Sequence, residues 1–135
     1  MTGCEFCAIA AGERGAHVVY EDEDTLAVLD ETPTRRGHTL VLPKPHREEL
    51  LGTGEAGKEV LGTVDAVAGA LRRVLDPDGF SVFYTSGPLV GQVRHAYVHV
   101  VPREEGDDVS LALDRTRIDH DAAADLAARV RDAEH

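Results

Sequence analysis

Tryptophan is absent, and three tyrosines and three phenylalanines bring the aromatic share to only 4% of 135 residues. Stacked-base platforms of the kind that single-strand nucleic-acid binders use have little material here. Positive charge is scarce too: Lys+Arg 14 stand against Asp+Glu 25, a formal net charge of −11, and lysine occurs only as Lys44 and Lys58. That balance excludes a general nucleic-acid binder. Long apolar runs are also lacking, since stretches such as Phe80 to Tyr84 fall far short of the ~20 residues that span a bilayer. Met1-Thr2-Gly3-Cys4-Glu5 shows no basic region ahead of an apolar stretch, so neither a membrane partner nor a secretory signal is expected, and the reading is cytoplasmic. Cysteine is limited to Cys4 and Cys7. In a reducing compartment, a lone Cys-x-x-Cys points to metal or redox work before a structural disulfide.

What is present suits one ordinary core. The composition is 42% hydrophobic, and a chain near this length buries roughly 70% of its unfolded surface, so a single domain over residues 1–135 is expected. Val18 to Glu21 and Thr25 to Asp30 are β-rich and separated by Asp22, Glu23 and Asp24, a hairpin pattern. His38 to Leu42 forms a third strand that ends at Pro43, which has no N–H for a ladder. Val60, Val64, Val67, Leu71 and Val74 recur at three and four, so residues ~55–75 are predicted as an amphipathic helix stopped by Asp76-Pro77-Asp78-Gly79. Phe80 to Thr85 and Arg94 to Val101 are predicted strands with a Gly- and Pro-containing loop between them, and Asp121 to Asp132 a short C-terminal helix. Strands that pair in hairpins around one long helix give an α+β fold with a mainly antiparallel sheet of about five strands.

In the last predicted strand His95, Tyr97 and His99 alternate with Ala96, Val98 and Val100, so a period of two puts three titratable groups on one face. The same pattern also describes a solvent-facing strand with tolerated histidines. Cys4, Cys7, His46 and His95 together make a Cys2His2 set, the donor set that tetrahedral zinc takes. Their later spacings are far longer than those of a zinc finger, so by spacing alone two inert thiols and two unrelated histidines fit equally.

Several segments taken in order are similar to the histidine triad (HIT) family. They are Cys4-Glu-Phe-Cys7, Val18-Val-Tyr-Glu-Asp with Leu26-Ala-Val-Leu-Asp30, Gly37-His38-Thr-Leu-Val-Leu-Pro-Lys-Pro-His46, and Gly91-Gln92 leading to His95-Ala-Tyr97-Val-His99-Val-Val-Pro102. The resemblance covers residues 4 to about 103. It implies a HIT-like fold, usually a homodimer whose sheets join, that binds a nucleotide such as a purine nucleotide and hydrolyses or transfers its phosphoryl group. It further implies that Cys4, Cys7, His46 and His95 bind a structural zinc. Asp30 matches the acidic residue that hydrogen-bonds the ribose, and Gln92 and Gly91 match the loop near the phosphate.

The departures from that pattern are selective. The middle triad position, where the family carries its nucleophilic imidazole, is Tyr97, and Thr85 stands where many members carry an asparagine. Only Val93-Arg94 separate Gln92 from His95, one residue fewer than the usual spacing. A phenol ionises near pH 10 and is a poor nucleophile at neutral pH, whereas it suits a proton donor, with His99 as its base partner. The other reading of Tyr97 is an aromatic filler that closes the pocket. The expected function is therefore a zinc-containing enzyme on a HIT scaffold, with Tyr97 and His99 in acid–base chemistry on a nucleotide-like or other small molecule. A non-catalytic nucleotide-binding module and a phosphoramidate or dinucleotide hydrolase are the alternatives. Arg35, Arg36, Lys44 and Arg94 are the candidates for making the pocket locally basic.

Overall fold

The computed structural model describes residues 4–86 and 95–134. In chain order the elements are α1 (Glu5–Ala10), β1 (Val18–Glu21), β2 (Thr25–Leu29), β3 (Thr39–Pro43), α2 (Ala56–Leu75), β4 (Gly79–Phe83), β5 (Val98–Arg103) and α3 (His120–Ala133). The five strands form one sheet in the order β1-β2-β3-β5-β4. Every neighbouring pair is antiparallel.

Alternation along the strands splits the core into two layers. Ala27, Val41, Val98 and Val100 face α2, which sets Val60, Val64 and Val67 against them. Leu26, Val28, Leu40 and Leu42 point to the opposite face, where Phe6, Ile9 and Tyr97 pack on them. α2 ends on Asp76, whose N–H still bonds the Arg72 carbonyl and whose left-handed backbone (φ 48°) turns the chain out of the helix. The sequence pattern did not announce α1, a helix of 6 residues with Cys4 as its N-cap. α3 starts on Asp119, which accepts from the Asp121 and Ala122 amides.

One strand boundary differs from expectation. β5 begins at Val98, not Arg94, and continues through Pro102 to Arg103. The β3–β5 register pairs Val41 with Val98, Leu40 with His99 and Thr39 with Val100. The register places Pro43 next opposite Ala96; Pro43 has no N–H for the Ala96 carbonyl and its own carbonyl takes His95 Nε2, while the Ala96 N–H donates to the Arg47 carbonyl at 2.7 Å. At the far end Pro102 meets Gly37, whose φ of +92° only glycine adopts easily, and a Cβ there lies 3.0 Å from Pro102 Cγ and 2.7 Å from Leu75 Cδ1. No helix among the described residues is long and apolar enough to cross a membrane.

Candidate functional site

The sheet face away from α2 carries two clusters of ligating side chains. The first gathers Cys4 and Cys7 from the start of α1, His46 from the segment after β3 and His95 from the approach to β5. Their donor atoms all lie within 4.8 Å of one another. Cys4 Sγ and Cys7 Sγ each lie 3.5 Å from His95 Nδ1, and Cys7 Sγ lies 3.2 Å from His46 Nδ1. A tetrahedral zinc with ~2.3 Å bonds to sulfur and ~2.0–2.1 Å bonds to nitrogen holds S and N about 3.5–3.6 Å apart, so the donor set fits. His95 Nε2 bonds the Pro43 carbonyl at 2.6 Å, so Nε2 carries the proton and Nδ1 turns its lone pair to the thiols. Burial keeps this imidazole neutral, pushing its pKa below the usual histidine range. Burial also pushes the Cys7 thiol up, with Cys4 adding to it.

The second cluster is Asp30, His38 and His99. His38 Nε2 lies 2.9 Å from His99 Nδ1 and 3.4 Å from Asp30 Oδ2. The Thr34 amide donates to His38 Nδ1 at 3.1 Å. A nitrogen that accepts an N–H bears no proton, so His38 carries its proton on Nε2 and donates it to His99 Nδ1. His99 in turn keeps its proton on Nε2. This order leaves His38 Nε2 without a lone pair for a metal, so the second cluster is a hydrogen-bond relay rather than a cation site. Burial lowers the His99 pKa, His38 lowers it further and Asp30 partly offsets both. Phe83 of β4 stacks on the His99 ring with centroids 4.3 Å apart.

Tyr97 links the two clusters. Its ring lies 5.1 Å from Phe6 and 5.1 Å from His99, while Phe6 also meets His95 edge-on at 5.9 Å. A model of the family described as HIT domain matches residues 11–106. The chain belongs to the HIT family. The protein called Protein hit of Bacillus subtilis is 38% identical over 125 residues, which cover 91% of this chain and 86% of that protein. The crystal structure of a HIT family protein from Bacillus anthracis is 30% identical with a TM-score of 0.86, covering 98% of this chain and 97% of that one. A Zn-bound histidine triad family protein from Mycobacterium smegmatis is 35% identical with a TM-score of 0.74, covering 98% of each chain.

In this HIT domain the fold brings Cys4, Cys7, His46 and His95 together, and Asp30, Tyr97 and His99 lie on the same sheet face. Thr85 is exposed, two residues beyond the end of β4. Gly91, Gln92 and Arg94 lie outside the described residues. The other proposed cations go elsewhere: Lys44 pairs with Glu21 at 2.6 Å, Arg35 with Glu104 and Asp107, and Arg36 lines a groove on the α2 side. Reading the sequence missed His38 as a site residue. Its signal was its place two residues before Leu40, on the face that Leu40 shares with His99 through the strand register. It also missed Tyr84 and Glu49. Tyr84 Oη donates to Glu49 Oε1 at 2.9 Å and accepts from the Leu50 amide at 3.2 Å, bracing the segment that follows His46.

Proposed function

We propose that the chain binds a nucleoside phosphate or a related small molecule beside Asp30, His38 and His99, and acts on it by proton transfer without a covalent nucleotidyl intermediate. The relay from the Thr34 amide through His38 to His99, set beside Tyr97 where the family's nucleophile stands, carries this reading. Asp30 holds the ribose hydroxyls. Its Oδ1 accepts from the Thr32 amide and hydroxyl, which fixes the carboxylate, and Oδ2 faces His38. With His99 neutral, its Nε2–H serves as a hydrogen-bond donor to a phosphoryl oxygen and adds no positive charge. The Tyr97 phenol gives its proton to the leaving oxygen, and the attacking water returns one to the phenolate. The placement of Arg35 and Lys44 in ion pairs supports neutral donors over a cationic clamp.

The Cys4, Cys7, His46 and His95 set holds a structural zinc in this reading, supported by the S···N spacing and by the Zn-bound relative. Zinc supplies only a cross-link there, tying α1 to the sheet. Thr85, Gly91 and Gln92 are the proposed phosphate contacts in this reading, and the proposed working unit is a cytoplasmic homodimer. A non-catalytic nucleotide-binding module is favoured by one observation: the Tyr97 ring is half-buried against Phe6 and the Leu26, Val28, Leu40 and Leu42 layer, as a filler would be. The deciding experiment is calorimetric titration with AMP and GMP on protein of measured zinc content, followed by a hydrolysis assay. Micromolar binding with turnover that Tyr97→Phe abolishes supports the enzyme. Binding without turnover selects the module, and no binding to either nucleotide overturns the nucleotide site.

A further inference from the structure

β5 lies between β3 and β4, so His99 has a cross-strand neighbour on either side: Leu40 of β3 and Phe83 of β4 stand opposite it. The bond from His38 holds the imidazole at one corner only, on Nδ1. The torsion that turns an imidazole about its Cβ–Cγ bond joins an sp³ to an sp² atom and lacks sharp wells. A single hydrogen bond at one edge therefore leaves the ring plane loosely set. A second contact, on the face of the ring, is needed if Nε2–H is to keep one direction.

Phe83 makes that contact. Its ring lies within 13° of parallel to His99 with centroids 4.3 Å apart, whereas the Tyr97 and His38 rings meet His99 at 63° and 47°. Of these three rings, Phe83 alone lies flat on the imidazole. β4 stands at the edge of the sheet, where strand ends fray unless they are held. The residue that follows Phe83 holds this one from the opposite face. Tyr84 packs on the α2 layer, donates to Glu49 Oε1 and accepts from the Leu50 amide. With Tyr84 anchored on one side of the sheet, Phe83 stays over His99 on the other. Covering one ring face also shares in the burial that keeps the imidazole neutral.

We propose that Phe83 is a positioning residue for His99: its ring face fixes the imidazole plane, so that the His38 bond stays on Nδ1 and the proton stays on Nε2. Phe83 does no chemistry of its own and acts through His99. The inference rests on the acid–base reading above only for what Nε2–H is aimed at, a phosphoryl oxygen. The ordering of the ring is a property of the unliganded fold. Without the stack the ring turns away from His38, the second tautomer becomes available, and Nε2 is a bare nitrogen for part of the time.

Nitrogen NMR of the full chain at pH 7.5 tests it, because a protonated and a bare ring nitrogen differ widely in chemical shift. Wild-type His99 is expected to show a protonated Nε2 and a bare Nδ1. Phe83→Ile keeps an apolar, strand-favouring side chain on β4 but removes the flat face. A stacked aromatic pair of this kind is worth enough to raise the minor tautomer about 2- to 10-fold when it is lost, so the two His99 nitrogen shifts should move towards each other. Phe83 is half-buried on an edge strand, thermal unfolding checks that each variant is folded, and Phe83→Leu is the second loss variant. Phe83→Tyr keeps the ring face and should restore the wild-type shifts. The measurement needs no turnover, so a failed hydrolysis assay counts against the acid–base reading alone and leaves this test intact. Mixed tautomers in the wild type, unchanged shifts in the folded loss variant, or no restoration by Phe83→Tyr overturns the proposal.

Discussion

Removing one zinc ligand tests how the N-terminus is held. α1 has only 6 residues, below the ~12–15 at which even a good isolated helix becomes marginal. Its apolar contacts are Phe6, Ile9 and Ala10 on the Leu26, Val28, Leu40 and Leu42 layer, all three half-buried. Full burial of a large apolar side chain is worth roughly 1.5–3 kcal/mol, so two half-buried ones and an alanine contribute about 2–3 kcal/mol. A Cys/His zinc site contributes about 10–16 kcal/mol of folding free energy in small peptides at neutral pH. The metal term exceeds packing several-fold, so Cys7→Ser or chelation is expected to release α1 while the sheet and α2 stay folded. Hydrogen exchange read by mass spectrometry, on peptides spanning residues 4–16 and 56–75, measures both. Protection should fall by at least ~100-fold in the first and stay within a few-fold in the second. Because Phe6 covers Tyr97, Tyr97 accessibility should rise with it. Undiminished protection of residues 4–16 in zinc-free protein would refute the reasoning, since packing alone would then suffice.

Three further outcomes are expected. His99 is held neutral in the fold by burial and by His38, so its folded pKa lies below its unfolded value. The unfolded chain then binds more protons, and stability is complete above about pH 6.5 and falls as pH drops below it. Thermal unfolding at pH 7.5 and 5.5 should show a smaller drop in Tm for His99→Gln than for the wild type. Gly37→Ala forces a left-handed φ on alanine and drives its Cβ to 2.7 Å from Leu75 Cδ1, costing about 2 kcal/mol by urea denaturation. An unchanged midpoint would count against the close approach. Tyr97→His places an imidazole beside His99, and trapping of a covalent nucleotidyl adduct by mass spectrometry is the expected gain. Its absence would show that the phosphate side of the pocket has changed as well.

The hairpin, the long helix and the antiparallel sheet were legible because period and punctuation are local. Val60, Val64, Val67 and Leu71 mark a helix face wherever that helix packs, and Asp76-Pro77-Asp78-Gly79 ends it by backbone chemistry alone. The ordered segments from Cys4 to Pro102 likewise carried the family, which the domain match to residues 11–106 then showed. α1 was not legible, because six residues show too little periodicity and their contacts come from a distant sheet face.

Strand alternation is local, so the chain alone places Tyr97 and His99 on one surface. What lies beside them depends on how the strands pair and the segments pack. His38 reaches His99 because β3 and β5 pair in one register, and the Thr34 amide sets the tautomer of that pair from four residues away. The start of β5 was set the same way: Pro43 has no N–H for the Ala96 carbonyl and gives its own carbonyl to His95, and the Ala96 N–H turns to the Arg47 carbonyl. Charge followed suit, since a sequence counts Arg35 and Lys44 as basic, while their places against Glu104, Asp107 and Glu21 spend that charge on ion pairs across the fold. Hydrogen bonds and ion pairs between residues far apart in the chain are fixed by register and packing, and neither is written in local pattern.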